Sequence, residues 1–211
     1  MGFTEAYLGA AAQAVTLLGA PEVAASWEEP SALADMTVGG LAGHLAYQVF
    51  SVSSALGTAA SAEAPIPLLE HYARAAWIDT PLDGEVNVGI RTNGEDIASR
   101  GARALVEDAR GALAEQQVAL PAVRGDRVVF MPQTGWALSL DDFLTTRMME
   151  LAVHMDDLAV SAGTATPELS PAAFGPVLAL LAELAARRHG QSALLRALAR
   201  AERAPLAINA L

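Results

Sequence analysis

The chain has no cysteine and no lysine. Without cysteine there can be no disulfide and no thiolate metal ligand, so any nucleophilic thiol has to come from a substrate or cofactor. All thirteen basic residues are arginine, and the first of them is Arg74. Set against 24 acidic residues they leave a net charge of −11, which provides no basic patch or arm for nucleic acid or an anionic membrane surface. Aromatic residues are scarce at 5%, whereas hydrophobic residues as a whole reach 53% and are largely Ala and Leu. That balance favours close-packed helices over a β sandwich. No apolar run reaches the roughly 18 uninterrupted residues that span a bilayer. The apolar stretch "YLGAAAQAVTLLGAP" follows Glu5 and lacks a positively charged lead, so it does not read as a signal peptide. The expectation is a cytoplasmic protein whose 211 residues allow one generous domain, or one domain with a short appendage.

What is present reads mostly as helix. Residues 3 to 19 form the first, stopped by Gly19 and Pro21. After the connector "EVAASWEEPSALADM", Thr37 can cap a second helix, "VGGLAGHLAYQVFSVSSAL". A short helix is expected around "PLLEHYARAAW", and a third long one over residues 95 to 117 beginning at Asn93 or Gly94. "RVVFMPQTGWALSL" reads as two short β-like runs about a Gln-Thr-Gly turn. Ser139 with Asp142 resembles a capping box and opens a fourth long helix, "TTRMMELAVHMDDLAVSAG". The linker "TATPELSP" and two further helices, "AAFGPVLALLAELAARRHG" and "QSALLRALARAE", complete the chain. The expected fold class is all-α: a four-helix bundle at residues 1–163 with a short β-like hairpin, and a small C-terminal helical extension at 164–211.

The fourth helix carries Arg147, Glu150, His154 and Asp157 along one line. At about 100° per residue these offsets fall within a sector of about 80°. Two readings compete. One is a solvated face laced by ion pairs between residues three or four apart. The other is a metal or acid/base site facing the bundle interior, where a Glu and a His one turn apart point at the same ion. A partner for the second exists in His44, mid-helix in "LAGHLAYQVF". A lone His on an apolar helix is more often a core or boundary residue than a ligand. With Glu150 and His154, however, His44 would complete the two-imidazole, one-carboxylate set of catalytic zinc sites, which leaves a further position open.

"W…S…TVGGLAGHLA", followed about a hundred residues later by "R..E...H..DLA.SAG", resembles the mycothiol-dependent maleylpyruvate isomerase N-terminal domain family, a branch of the DinB-like four-helix bundles. The resemblance covers residues 1 to about 163. It implies that His44, Glu150 and His154 bind the metal, Zn2+ or a similar divalent ion. It places Asp157 at the family's acidic position near the metal and Arg147 at the Arg that precedes the motif Glu. It further implies mycothiol or a related low-molecular-weight thiol as cosubstrate, activated for S-transfer to, or isomerisation of, a small electrophile. Asp157 would orient a ligand or accept the thiol proton; Arg147 would pair with Glu150 or bind an anionic substrate group. Longer members carry a C-terminal domain that helps to bind thiol and substrate, of which "ALLRALARAERAP" looks like a shortened helical version. The all-Arg, Ala-rich composition suits a high-GC actinobacterial source that would make mycothiol. The alternatives are a hydrolase or lyase using zinc-bound water, and a non-catalytic metal-binding or regulatory protein, acting as monomer or homodimer without nucleic acid or membrane.

Other residues read more plainly. His71 and His189 are expected at the surface or at helix ends, and Asp156 facing solvent or capping. Trp27, Trp77 and Trp136 read as packing anchors, with Trp136 also able to line a pocket mouth. Tyr47 and Gln48 share the face of His44 and either line a cavity or pack in the core. "EVNVGIRTNGED" bears glycine but no phosphate-loop pattern.

Overall fold

The computed structural model describes residues 2–78 and 80–211. Its first helix, α1 (Phe3–Leu18), buries Ala6, Tyr7, Ala10, Ala14, Leu17 and Leu18. This is the spacing of one helical face, and its alanines admit close neighbours. Pro21 then sits in the first turn of a short helix, α2 (Pro21–Ala25), where its missing N–H costs nothing. The connector expected here therefore contains a helical turn.

Next comes α3 (Val38–Gly57), capped as expected by Thr37, whose hydroxyl accepts from the Gly40 N–H. A short α4 (Leu68–Ala73) crosses over before α5 (Glu85–Ala98) and α6 (Ala102–Ala119). The single helix expected over residues 95–117 is thus two. Gly101, at φ 85°, stands where L residues with side chains are strained and breaks the run. "EVNVGIRTNGED", noted for its glycines and not expected as helix before Asn93, lies wholly inside α5. Its weak propensity is overridden by packing: a Cβ on Gly94 would lie 2.6 Å from the Gly40 carbonyl oxygen, so α5 and α3 meet backbone to backbone.

The antiparallel hairpin β1 (Val128–Met131) and β2 (Trp136–Ser139) pairs Val128 with Ser139 and Met131 with Trp136. Ser139 accepts from the Asp142 N–H and opens α7 (Leu140–Ala162), which ends at Gly163 in the left-handed region. The last two helices are α8 (Pro171–His189) and α9 (Gln191–Ala199).

The fold is all-α apart from this hairpin. α1 and α3 each pack against both α6 and α7, closing a four-helix bundle, while α5 lies on α3 and α8 on α7 and α1. Leu41, Leu45, Leu144, Met148, Leu151, Met155 and Leu158 are fully buried between these helices. Each such side chain contributes about 1.5–3 kcal/mol on leaving water. Among the described residues no helix is long and apolar enough to cross a membrane.

Candidate metal centre

Two helices set the site. On α3, the Thr37 cap is clamped by Glu95 of α5, which accepts from both the N–H and the hydroxyl of Thr37. A Cβ on Gly43 would fall closer than 3.0 Å to the Gly94 carbonyl oxygen, so the residue before His44 is held where only glycine fits. On α7, the buried Met148, Met149, Leu151 and Met155 fix the rotation of the helix. The polar stripe consequently faces α3.

His44, Glu150 and His154 converge, each offering one ligand atom within 4.8 Å of the other two. His44 Nε2 lies 3.2 Å from His154 Nε2, and His154 Nε2 lies 3.1 Å from Glu150 Oε2. The two imidazoles meet edge to face at 80°. Four ligands at 2.0–2.1 Å from a tetrahedral ion are separated by about 3.3 Å, which the two spacings to His154 Nε2 match. Asp157 Oδ2 is 3.0 Å from His154 Nδ1, the carboxylate–histidine tie that fixes a ligand's tautomer and orientation.

The electrostatics are compatible with the same use. Burial, assisted by the charge of His154, pulls His44 down to about 4, so at neutral pH the ring is neutral and one nitrogen carries a lone pair. Burial opposes ionisation of Glu150 but is outweighed by the His154 hydrogen bond and the surrounding positive charge, and its carboxyl is held low. For His154 burial favours the neutral form, yet hydrogen bonds to Asp157 and Glu150 hold the imidazolium well above the usual histidine range. A divalent ion would take the place of that proton, since metal binding to imidazole requires the neutral ring and releases its proton. His44 Nδ1 is buried with no hydrogen-bond partner among the described residues.

Arg147 donates to Gln48 Oε1 and to Thr146 Oγ1 and lies over the Phe143 ring, 5.5 Å from its centre. Its partner is thus Gln48 of α3 rather than Glu150 of its own helix. Gln48 in turn donates to the His44 carbonyl oxygen. A polar layer, Gln48–Arg147, follows directly upon the three-ligand layer along the α3–α7 groove.

The short α4 adds residues that the sequence did not assign to the site. His71, expected at the surface or at a helix end, lies in the last turn of α4 but is buried, and its Nδ1 accepts from Trp136 Nε1 at 3.1 Å. Burial and then Arg147 hold it down to about 4, so it is neutral with its proton on Nε2. Tyr72 beside it buries its hydroxyl with no hydrogen-bond partner among the described residues, and burial and then the Glu150 charge push that hydroxyl upward. Trp136 packs against the core, as an anchor, and donates to His71. The pairing spans 65 residues, and nothing in "EHYARAAW" signals it. His189 and Asp156 are as expected, one at the end of α8 and the other exposed and accepting from Thr166.

Beyond the Gln48–Arg147 layer lies a cavity of about 500 Å³. Tyr47, Phe50 and Ser51 line it from α3, Phe143 from α7, and Met131 and Gln133 from the hairpin.

The family described as the mycothiol maleylpyruvate isomerase N-terminal domain matches residues 8–159. No curated protein and no solved structure matches the chain.

Proposed function

Because the chain belongs to the mycothiol maleylpyruvate isomerase N-terminal domain family of DinB-like helical bundles, we propose that it is a zinc-dependent enzyme that activates a low-molecular-weight thiol, mycothiol above all. The thiol is transferred to a small electrophile or serves its isomerisation. The observation that carries this reading is the convergence of His44 Nε2, His154 Nε2 and a Glu150 oxygen at spacings suited to a four-coordinate ion. When bound there, a divalent ion supplies an open position for the thiol and lowers its pKa.

The protein's own groups would act around it. Asp157 lies against Nδ1 of His154 and would thereby aim its Nε2 at the ion; acceptance of the thiol proton is its second proposed role. Gln48, Thr146 and Phe143 fix the Arg147 guanidinium one layer away, where it can receive an anionic group of the substrate. These roles fall in residues 1–163, with 164–211 as a helical extension packed on the bundle through α8.

A second reading is favoured by one observation: His154 is already held between two carboxylates, so the stripe could serve as a structural ion-pair cluster in a non-catalytic protein. Consumption of monochlorobimane by zinc-loaded protein separates the readings. Turnover only when mycothiol is supplied, abolished by a chelator, is expected. Turnover without thiol would select a hydrolase or lyase using metal-bound water, and no turnover with no metal uptake would select the ion-pair cluster.

A further inference from the structure

The short helix α4 is fastened at several points, yet one of its buried groups is left unused. Its entry is tied to β2 by the Ile66 N–H, which donates to the Ala137 carbonyl oxygen, and the Leu69 carbonyl oxygen accepts from Arg187 of α8. Glu70 pairs with Arg74 at 2.9 Å, and Arg74 lies over the Trp136 ring, 5.8 Å from its centre. Trp136 in turn donates to His71 Nδ1. An indole N–H can only donate, so His71 presents a lone pair there and carries its proton on Nε2. The His71 and Tyr72 rings meet edge to face, 4.9 Å apart and at 81°. These contacts fix where the Tyr72 ring stands.

Only the hydroxyl gains nothing from the arrangement. Tyr72 is 4% exposed, and its oxygen has no hydrogen-bond partner among the described residues. A buried hydroxyl normally finds a partner, and one without has given up its hydration for no return. Phenylalanine would fill the same space without that cost. Tyr7 shows the usual case. Equally buried, its hydroxyl donates to Gln116 Oε1 at 2.9 Å, and the Gln116 amide donates onward to the Val49 carbonyl oxygen and to Ser53 Oγ.

The charge that acts most strongly on Tyr72 is that of Glu150, ahead of Arg147, and the same two charges act on His71. The helix α4 therefore lies beside the Arg147–Glu150 end of the α7 stripe. Glu150 sets one oxygen, Oε2, against His154 Nε2, while its Oε1 makes no hydrogen bond among the described residues. A carboxylate that gives one oxygen to a metal ion is ordinarily hydrogen-bonded by a neighbour, which fixes its orientation. Arg147 does not serve, being engaged by Gln48 and Thr146. Tyr72 is thus a buried donor without an acceptor, beside an acceptor without a donor.

We propose that Tyr72 is the positioning residue of Glu150: its hydroxyl donates to the carboxylate oxygen that a metal ion leaves free, and so holds the other oxygen in place as ligand. The proposal rests on the metal-centre reading above. The two groups are not hydrogen-bonded to each other in this arrangement, so their pairing accompanies metal binding. Its effect falls on metal affinity and not on the stability of the metal-free fold.

The test compares the parent with Tyr72→Phe and Tyr7→Phe. Zinc affinity is measured by chelator competition, and Tm by circular dichroism after metal removal. Tyr72→Phe is expected to bind zinc about 10–100-fold more weakly while melting, metal-free, at or above the parent's Tm. Tyr7→Phe, which leaves Gln116 Oε1 unpaired, is expected to do the opposite, with unchanged zinc affinity and a Tm lower by about 2 °C or more. Unchanged zinc affinity in Tyr72→Phe overturns the proposal and leaves the metal centre standing. A loss of affinity accompanied by a fall in the metal-free Tm also overturns it, because that pattern marks a packing role. A parent that takes up no zinc overturns the metal-centre reading and the proposal with it.

Discussion

Replacing Gly43 by Ala tests whether the α3–α5 contact positions His44. The new Cβ would fall closer than 3.0 Å to the Gly94 carbonyl oxygen and would also press on the Gly94 carbonyl carbon and the Ala98 nitrogen, at 3.0 and 3.1 Å. All three are backbone atoms, so no rotamer change relieves the clash and the helices must part. Overpacking of this kind costs about 1–3 kcal/mol and occasionally more. Alanine returns about 1 kcal/mol of helix propensity relative to glycine, leaving a net loss of about 2 kcal/mol when the clash is at the upper end. For a chain of this length each kcal/mol moves Tm by about 2–4 °C, so Gly43→Ala should melt about 4–8 °C below the parent. The comparison is Gly111→Ala, inside α6 with nothing within 4 Å of the new methyl. That variant should gain the propensity alone and melt about 2–4 °C above the parent. Both are followed by circular dichroism on metal-free protein, which removes linkage to a bound ion. A Gly43→Ala variant as stable as the parent, or shifted in the same direction as Gly111→Ala, would refute the close-contact reasoning.

Asp157→Ala removes the partner of His154 Nδ1 and should weaken zinc affinity by about 10–100-fold with the helical spectrum unchanged; unaltered affinity in chelator competition would show the tie to be irrelevant. The pH dependence of stability should carry the mark of His71, held down to about 4 from 6.5. Its folded-state pKa is below the unfolded one, so its contribution is complete above pH 6.5 and is lost as the pH falls from 6.5 toward 4. His71→Gln keeps an acceptor for Trp136 without a titrating group. On acidification from pH 7 to 4.5 its urea midpoint should fall less than the parent's, and equal falls would contradict the assignment.

The bundle was legible because its helices announce their ends. Thr37 and Ser139 cap α3 and α7 as their side chains imply, and Gly163 stops α7. The hairpin followed from two short β-like runs about a turn containing Gly135. The helix α5 was not legible, because its Asn93, Gly89 and Gly94 argue against a helix; Gly94 is there for contact with Gly40 rather than for propensity. In the site, the spacing along one helix predicted which α7 groups share a face, since helical geometry is local. His71, Tyr72 and the Trp136 contact were missed because a six-residue crossover helix has no periodicity long enough to orient it. Arg147 was expected against Glu150 or a substrate anion; in place of Glu150 it meets Gln48, 99 residues away, a distance over which sequence pattern is silent.

The central claim, that the inward stripe of α7 and His44 form a metal centre, is tested most directly by metal content per chain. Plasma mass spectrometry would be applied to protein purified without a histidine tag or chelator, with a His44→Ala variant alongside. Near-stoichiometric zinc in the parent, falling sharply in the variant while the helical spectrum persists, is the predicted result. Little metal in either protein, with no uptake after zinc is added, would contradict it and leave His154 and its two carboxylates as an ion-pair cluster.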